Sequence, residues 1–318
     1  MINKLYRIYY YFADYLYDAY RYLVYSTTIS ANSFQRLEGR LMANAHAIER
    51  GLSFEKPENK FAIDIIKTLL SLVHNYIDSQ YTSDNFAFQS AKQALRDYLE
   101  FHKKKGISLD ALEDQIINLP IDKSDLIESA TISLHTKEYF KNSSFADTII
   151  KRRSVRNFLN TPVSLRKIKY AIKLALNSPS VCNRQSWHIY ILKKGDTLNH
   201  VLNLQRGNRG FREKIGTLLV VTADLNSFQG FNERNQCFID GGIISMSLLL
   251  SLHYANLGAC PMNWSYHFDE DLKIRKVLKV RRSENIILFI AVGNVPPEVD
   301  VPRSRKKDIS DTVSLMKN

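Results

Sequence analysis

The sequence lacks the marks of several large protein classes. No apolar run reaches the ~18–20 uninterrupted residues that a bilayer-spanning helix needs. Cysteine occurs three times, as Cys182, Cys237 and Cys260, and none forms a CxxC pair. An odd, scattered set argues against a disulfide framework and against a zinc site, and it fits a reducing cytoplasm. No GxGxxG dinucleotide loop is present, and no zinc-finger or RNA-recognition signature. No set of His, Cys and acidic residues has ligand-like spacing, so no metal is expected. There is no repeat period and no low-complexity tract. The aromatic N-terminus, "MINKLYRIYYYFADYLYDAYRYLVYS", lacks a small-residue cleavage site and is interrupted by Lys4, Arg7, Asp14, Asp18 and Arg21, so it does not read as a signal peptide.

What remains is a chain of 318 residues, 45% apolar, with a net charge of +12. That length fits one large domain or two ordinary ones, with enough apolar residues for a sizeable core. Excess positive charge attracts anions of every kind, including nucleic acid, anionic lipid and phosphorylated cofactors. Here it is dispersed, with clusters at 151–156, 273–282 and 303–307. A solvated basic surface explains the dispersed part, and no nucleic-acid partner is expected.

Two organisations follow one another along the chain. Residues 1–143 read as an all-α extension. Phe34, Leu37, Leu41, Ala45 and Ile48 recur at three- and four-residue steps, with Ser33 placed to cap that helix and Gly51 to end it. Further helices fit "KFAIDIIKTLLSLVHNYIDS", "NFAFQSAKQALRDYLEFHKKK" before Gly106, and "SLDALEDQIINLP". Residues 144–318 alternate helices and strands. Ser144 with Asp147 makes a capping pair, and Ser164 opens a helix with Leu165, Ile168, Ile172 and Ala175 on one face. "WHIYILKK", "TLLVVTAD" and "NIILFIAVG" are short apolar β-rich runs. "DGGIISMSLLLSLHYANLG" is apolar on nearly every face and reads as a buried central helix ending at Gly258.

Three short pieces stand out in this second part. "RRSVRNF" follows the capped helix, "NSPSVCNRQSWHIYIL" is a polar loop running into a strand, and "AVGNVPPEVDVPRSRKKDI" is a strand followed by a basic tail. With the buried helix and "GACPMNW" between them, the set resembles the nitroreductase family of flavoenzymes over about 147–318. The resemblance implies an α+β fold, a nitroreductase-like FMN-binding fold with a central antiparallel-type sheet, carrying an N-terminal all-α extension. It also implies FMN as cofactor, NADH or NADPH as electron donor, and a small organic acceptor over the same flavin face. A homodimer would build each pocket from both subunits.

By that match Arg152, Arg153 and Ser154 hold the phosphate end of FMN, with Arg303 and Arg305 returning to it from the tail. Arg156 lies near the pyrimidine edge of the flavin. Arginine suits this task because it pairs bidentately with phosphate, and a fixed cation near the ring stabilises the reduced flavin. The loop matches as Pro179, Ser180, Asn183 and Gln185. Ser186 replaces a usual proline and leaves the loop less rigid, and Val181 replaces a frequent serine. Asn208 in "QRGNRGF" resembles an asparagine near the flavin pyrimidine. Pro261, Met262, Asn263 and Trp264 resemble the segment whose backbone N–H groups meet flavin N5. Many nitroreductases have an acidic residue and a glycine where this chain has Asn263 and Trp264, which alters the pocket floor. That change keeps a second class open, a flavin-binding protein without turnover that serves as an assembly or regulatory partner. "AHAIERGL" resembles extended members found near polysaccharide-biosynthesis genes, which points to a glycan-related acceptor.

The remaining features are blander. His46 and Glu49 lie one helical turn apart and read as a hydrogen-bonded pair. Cys260 reads as a small buried residue, with no base nearby to activate it. Tyr6, Tyr9, Tyr10, Tyr11, Tyr15, Tyr17, Tyr20, Tyr22 and Tyr25 surround most of the first helix. Either protein clasps that helix on several sides, the favoured reading, or it lies at a membrane surface.

Overall fold

The computed structural model describes residues 33–119, 129–141, 144–228 and 231–316, with isolated residues between 5 and 19. It divides into two compact units. One comprises residues 1–132 and 302–318, the other residues 133–301. The sequence-based boundary at 143/144 therefore falls inside the second unit, and the basic tail clusters with the helices.

The helical unit is built on α1 (Phe34–Leu52), α2 (Ile63–Asp78), α3 (Phe86–Lys104) and α4 (Ala111–Ile117). α1 and α3 start on side-chain caps. Ser33 Oγ accepts the Arg36 N–H, and Asn85 Oδ1 accepts from both Ala87 and Phe88. Leu41, Ile48, Ile66, Leu69, Tyr76, Leu95 and Tyr98 are fully enclosed in one core. Burial pushes the phenols of Tyr76 and Tyr98 up to about 12, and each hydroxyl donates to a carbonyl, of Thr82 and Phe61 respectively. Gly51 does not end α1, which runs to Leu52. It is instead the place where Phe61 enters the core: a Cβ on Gly51 would stand 2.2 Å from Phe61 Cε2. His46 Nδ1 and Glu49 Oε2 lie 3.2 Å apart on α1, the hydrogen-bonded pair expected.

Of the N-terminal tyrosines only Tyr9 and Tyr15 lie among the described residues, and both are exposed, as are Leu5, Ile8, Phe12 and Leu16.

The second unit is α+β. A four-stranded antiparallel sheet has the order β2-β3-β5-β4, with β2 (Trp187–Lys193), β3 (Thr217–Asp224), β4 (Gly258–Asn263) and β5 (Glu284–Gly293). Three of these are the apolar runs read from the sequence. A two-stranded sheet pairs β1 (Thr131–His135) with β6 (Glu298–Pro302). The short helices α5 (Thr136–Tyr139) and α6 (Phe145–Lys151) precede the sheet, and Ser144 caps α6 through the Asp147 N–H as expected. Then come α7 (Leu165–Ala175), α8 (Asp196–Leu204), α9 (Gln236–Tyr254) and α10 (Phe268–Leu278).

All eight residues of β3 are buried, which fits its central position and its unbroken apolar run. α9 lies across one face of the sheet beside α7, with Ile244, Leu248 and Leu252 against Leu219, Val221 and Ile290. By length and composition α9 could cross a membrane, yet it buries Asp240, Ser245 and His253 with its leucines and serves here as the core helix. It ends at Tyr254, four residues before Gly258, which instead opens β4. A buried carboxylate ties three strands: Glu284 on β5 accepts from Tyr190 on β2 and Thr222 on β3, and Arg281 completes its shell.

Gly51→Val is expected to destabilise the chain by about 1–3 kcal/mol through overpacking against Phe61. Urea unfolding that shows a lower midpoint with an unchanged slope checks this.

Candidate functional site

The basic stretch begins where α6 ends. The Arg152 N–H still bonds Thr148 O, after which the backbone turns extended. It then runs beside β4: Ser154 bridges Ala259 in parallel, and the Val155 N–H donates to Ala259 O at 3.0 Å. Further on, the Leu159 N–H donates to Asn294 O at 2.9 Å. Val155 and Phe158 are buried between these two points. Gly258 and Gly293 face each other across β4 and β5; Phe158 fills the room that a side chain at Gly293 would take, and Val295 that at Gly258. A Cβ on Gly293 would stand 2.4 Å from Phe158 Cδ1. The apolar members of the motif are anchors, and they set where its arginines emerge.

The cations have distinct surroundings. Arg153 bonds the carbonyls of Ile150 and Arg152, and its backbone N–H meets the Tyr139 hydroxyl. Arg156 Nη1 reaches Ser154 O at 3.5 Å. Arg152 Nε is buried and has no hydrogen-bond partner among the described residues. A charged donor in that state is costly unless an anion meets it. His253, at the end of α9, is 1% exposed and lies edge-on to the Tyr139 ring, 4.6 Å between centroids. Burial, then Arg152, Lys151 and Arg153, lower its pKa to about 4. Burial likewise raises the phenol of Tyr139.

The 179–185 loop is built differently. Cys182, Asn183 and Gln185 all have left-handed backbones, with φ of 49°, 55° and 48°. Such a run in non-glycine residues persists only where the surroundings impose it. The Ser180 hydroxyl accepts the Gln185 N–H at 3.0 Å. The Asp240 carboxylate on α9, 1% exposed, accepts the Val181 N–H and the Gln236 side chain. Arg184 forks onto Glu233 at 2.8 and 3.0 Å with its guanidinium over Phe228. The loop is thus braced despite Ser186, which is buried and whose carbonyl accepts the Asp224 N–H. Pro179, Asn183 and Gln185 are exposed at its tip.

Asn208 departs from its expected role. It is 0% exposed. Its amide donates to Leu202 O and Gln205 O, while its Oδ1 accepts from Arg212. Buried and bonded through both its nitrogen and its oxygen, that side chain faces the protein rather than a ligand. Asn208 instead holds Gln205, whose amide donates to Asn263 O at the end of β4. In the 261–264 segment, Pro261 has no N–H to offer, so any backbone donors there belong to Met262, Asn263 and Trp264. The Asn263 side chain bonds Ser265, and Trp264 stacks on Tyr266 at 4.0 Å while its indole N–H donates to Asp271. Trp264 is a packed aromatic with a satisfied polar end. Cys260 is buried, as expected for a small core residue.

The basic stretch, β4 and the 205–208 turn are therefore brought together, and the 179–185 loop is held by the first turns of α9. Arg303 and Arg305 belong to the helical unit. The Arg303 side chain donates to Ser129 O and its N–H to Ala130 O, while the Arg305 guanidinium lies 5.8 Å over Phe86. Asp240 and the Arg184–Glu233 pair were not singled out in the sequence. The only signal for Asp240 was a carboxylate at the start of an otherwise apolar helix.

Residues 149–215 match the model described as the nitroreductase family. That span holds the basic stretch, the loop and the 205–208 turn. Among solved structures, the chain is similar to a protein from Parabacteroides distasonis described as an NADH dehydrogenase/NAD(P)H nitroreductase, with 23% identity and a TM-score of 0.47 over 54% of this chain and 96% of that one. It is similar to a protein from Desulfovibrio desulfuricans described as a nitroreductase in complex with FMN, at 15% identity and a TM-score of 0.48 over 56% and 99%. A nitroreductase family protein from Streptococcus pneumoniae shows 16% identity and a TM-score of 0.47 over 54% and 100%. No curated protein matches the chain.

His253 makes stability pH-dependent with a definite sign. Its folded pKa lies near 4, below the ordinary 6.5, so the unfolded chain binds the proton first. The stabilisation is complete above about pH 6.5 and is lost progressively as pH falls towards 4, by a few kcal/mol at most. Replacing His253 by Leu should flatten the melting temperature across that window, measured by circular dichroism from pH 7 to 4.

Proposed function

We propose that this protein is an FMN-dependent oxidoreductase that passes hydride from NADH or NADPH to a small organic acceptor. The observation that carries the reading is Arg152, a cation with a buried, unsatisfied donor, held at the sheet edge within the span that matches the nitroreductase family. A phosphate monoester is the kind of group that satisfies such a donor, through charge-assisted bonds from a fixed fork. The donor set fits FMN in this respect. Arg152, Arg153 and Ser154 would hold the phosphate, and Arg156 would lie near the pyrimidine edge. When bound, FMN supplies the two-electron chemistry.

The chain's own residues supply position and environment. Asn183 and Gln185 sit on a loop whose backbone is fixed before any ligand arrives, so little ordering cost remains at binding. Pro179 and Ser180 set the entry to that loop. β4 is a sheet edge, so its outer backbone groups have no neighbouring strand in the sheet. Val155 and Gln205 use the carbonyls of Ala259 and Asn263, which supports a donor role for the nearby N–H groups. Trp264, packed on Tyr266, and Met262, buried, would exclude water from that edge.

A homodimer is part of this proposal. α9 leaves Phe238, Ile239, Met246 and Tyr254 exposed, and a partner's matching helix would cover them. The three thiols are all free, which supports a reducing compartment. A glycan-related acceptor has only the resemblance of "AHAIERGL" behind it.

The purified protein should be yellow, release FMN rather than FAD, and bleach under anaerobic NADH or NADPH. Bound flavin that neither donor bleaches would point to a flavin-binding partner without turnover. Arg152→Ala should weaken FMN binding about tenfold or more, one charge-assisted bond being worth ~1.5–3 kcal/mol. Colourless protein that FMN cannot reconstitute sinks the proposal. Light scattering should give twice the 36.7 kDa of one chain, and a single-chain mass at micromolar concentration refutes the dimer.

A further inference from the structure

The outer edge of β4 has few backbone donors to offer, and its sequence decides which. Along an antiparallel strand the polar groups of successive residues alternate between facing the neighbouring strand and facing away. Ala259 faces away from β5, because its carbonyl accepts the Val155 N–H. Asn263 does the same, because its carbonyl accepts the Gln205 side-chain amide at 3.0 Å. Pro261 lies midway between them on the same side and has no N–H. A proline is tolerated there because it takes no bond out of the β4–β5 ladder. Cys260 and Met262 face Ala291 and Phe289 on β5. The Trp264 N–H lies across a trans peptide from the Asn263 carbonyl, so it points the opposite way. From Cys260 to Trp264, the Asn263 N–H is therefore the one backbone donor directed outward at this edge.

Gln205 is built to hold that residue. It follows α8 directly and is 0% exposed. The Asn208 amide bonds its backbone carbonyl and lies 3.4 Å from its Oε1, and Arg212 Nε in turn holds Asn208 Oδ1 at 3.0 Å. Gly207 gives the Gln205 amide its path to the strand. A Cβ at Gly207 would stand 3.0 Å from Gln205 Nε2 and 3.3 Å from Met262 Cβ. A buried amide is favourable only where it is bonded, and the bond that Gln205 makes is the one a further strand would supply to β4.

We infer that Gln205 is a positioning residue for the flavin: by holding the Asn263 carbonyl it fixes the Asn263 N–H as the single β4 donor to N5 of FMN. The inference rests on the flavin reading of this site. Both polar groups of Asn263 lie on the same side of the strand, so a bond that fixes the carbonyl also fixes the direction of the N–H. The Asn263 side chain is turned to Ser265 at 3.1 Å and takes no part. The donor is thus a main-chain group, and asparagine in place of an acidic residue at 263 leaves it intact. A donor held before the ligand arrives needs no reordering when it is used.

FMN labelled with 15N at N5 and bound to the full-length protein tests this by NMR, because a hydrogen bond donated to that nitrogen moves its resonance upfield. Gln205→Met keeps the side-chain volume and removes the donor to Asn263. The N5 resonance in this variant should move downfield of wild type, towards that of an unbonded N5. FMN affinity should stay within about threefold of wild type, a change of under ~0.7 kcal/mol, since Gln205 does not hold the phosphate. Gly207→Ala crowds the same amide without removing it and should shift the resonance in the same sense by a smaller amount. It also serves as the test if the buried methionine variant fails to fold. A lower melting temperature with the N5 resonance unmoved makes Gln205 a purely structural residue and overturns the inference, while the bound flavin leaves the flavin proposal standing. Protein that takes up no FMN overturns both.

Discussion

Phe158 lies over two glycines that face each other across β4 and β5, and the candidate site depends on that contact. The ring occupies space that any side chain at Gly293 would take. Its burial closes the interval between two backbone hydrogen bonds, Val155 to Ala259 and Leu159 to Asn294. Truncating a buried phenylalanine typically costs ~3–5 kcal/mol, far more than an exposed ion pair contributes. Packing, not charge, therefore fixes the path of the basic stretch. The arginines take their positions from it, and a cation held by a rigid backbone needs little further ordering to meet an anion.

The same rigidity has an electrostatic consequence next door. Lys151, Arg152 and Arg153 follow one another at the end of α6, and His253 is buried beside them. A second positive charge there would be both desolvated and repelled, so the imidazole stays neutral. Asp240, on the opposite end of α9, works in the other sense. Its buried carboxylate accepts the Val181 N–H and so orders a loop that contains three strained residues. One helix thus carries a neutral base towards the cationic stretch and an acceptor towards the loop.

Most of the fold was legible because its elements are locally consistent. The runs at 187–193, 217–224 and 284–293 are apolar and β-rich, and the helices at 34–52, 63–78 and 86–104 have periodic faces, the first and third behind side-chain caps. β4 was harder, since Gly-Ala-Cys-Pro-Met-Asn has no β-branched residue and a proline. It can be a strand because it is an edge. Asn208 illustrates the limit at the site. Its residue type suits ligand contact, but the side chain is buried, and its neighbours Leu202, Gln205 and Arg212 engage both its amide nitrogen and its oxygen. The tail was read as part of the unit that precedes it in the chain, whereas its contacts with Ser129, Ala130 and Phe86 are separated from it by more than 170 residues.

That return of the tail makes residues 133–301 an insertion within the helical unit. The order of synthesis then matters. A ribosome releases segments in sequence and domains generally fold as units. The four helices emerge first, the whole inserted unit follows, and only afterwards can residues 302–316 take their places on Ser129, Ala130 and Phe86. For the time it takes to make nearly 170 residues, the helical unit must exist without its last segment. The tail is thus among the later parts of this unit to be laid down, so a nascent chain presents the four helices before the tail can pack on them.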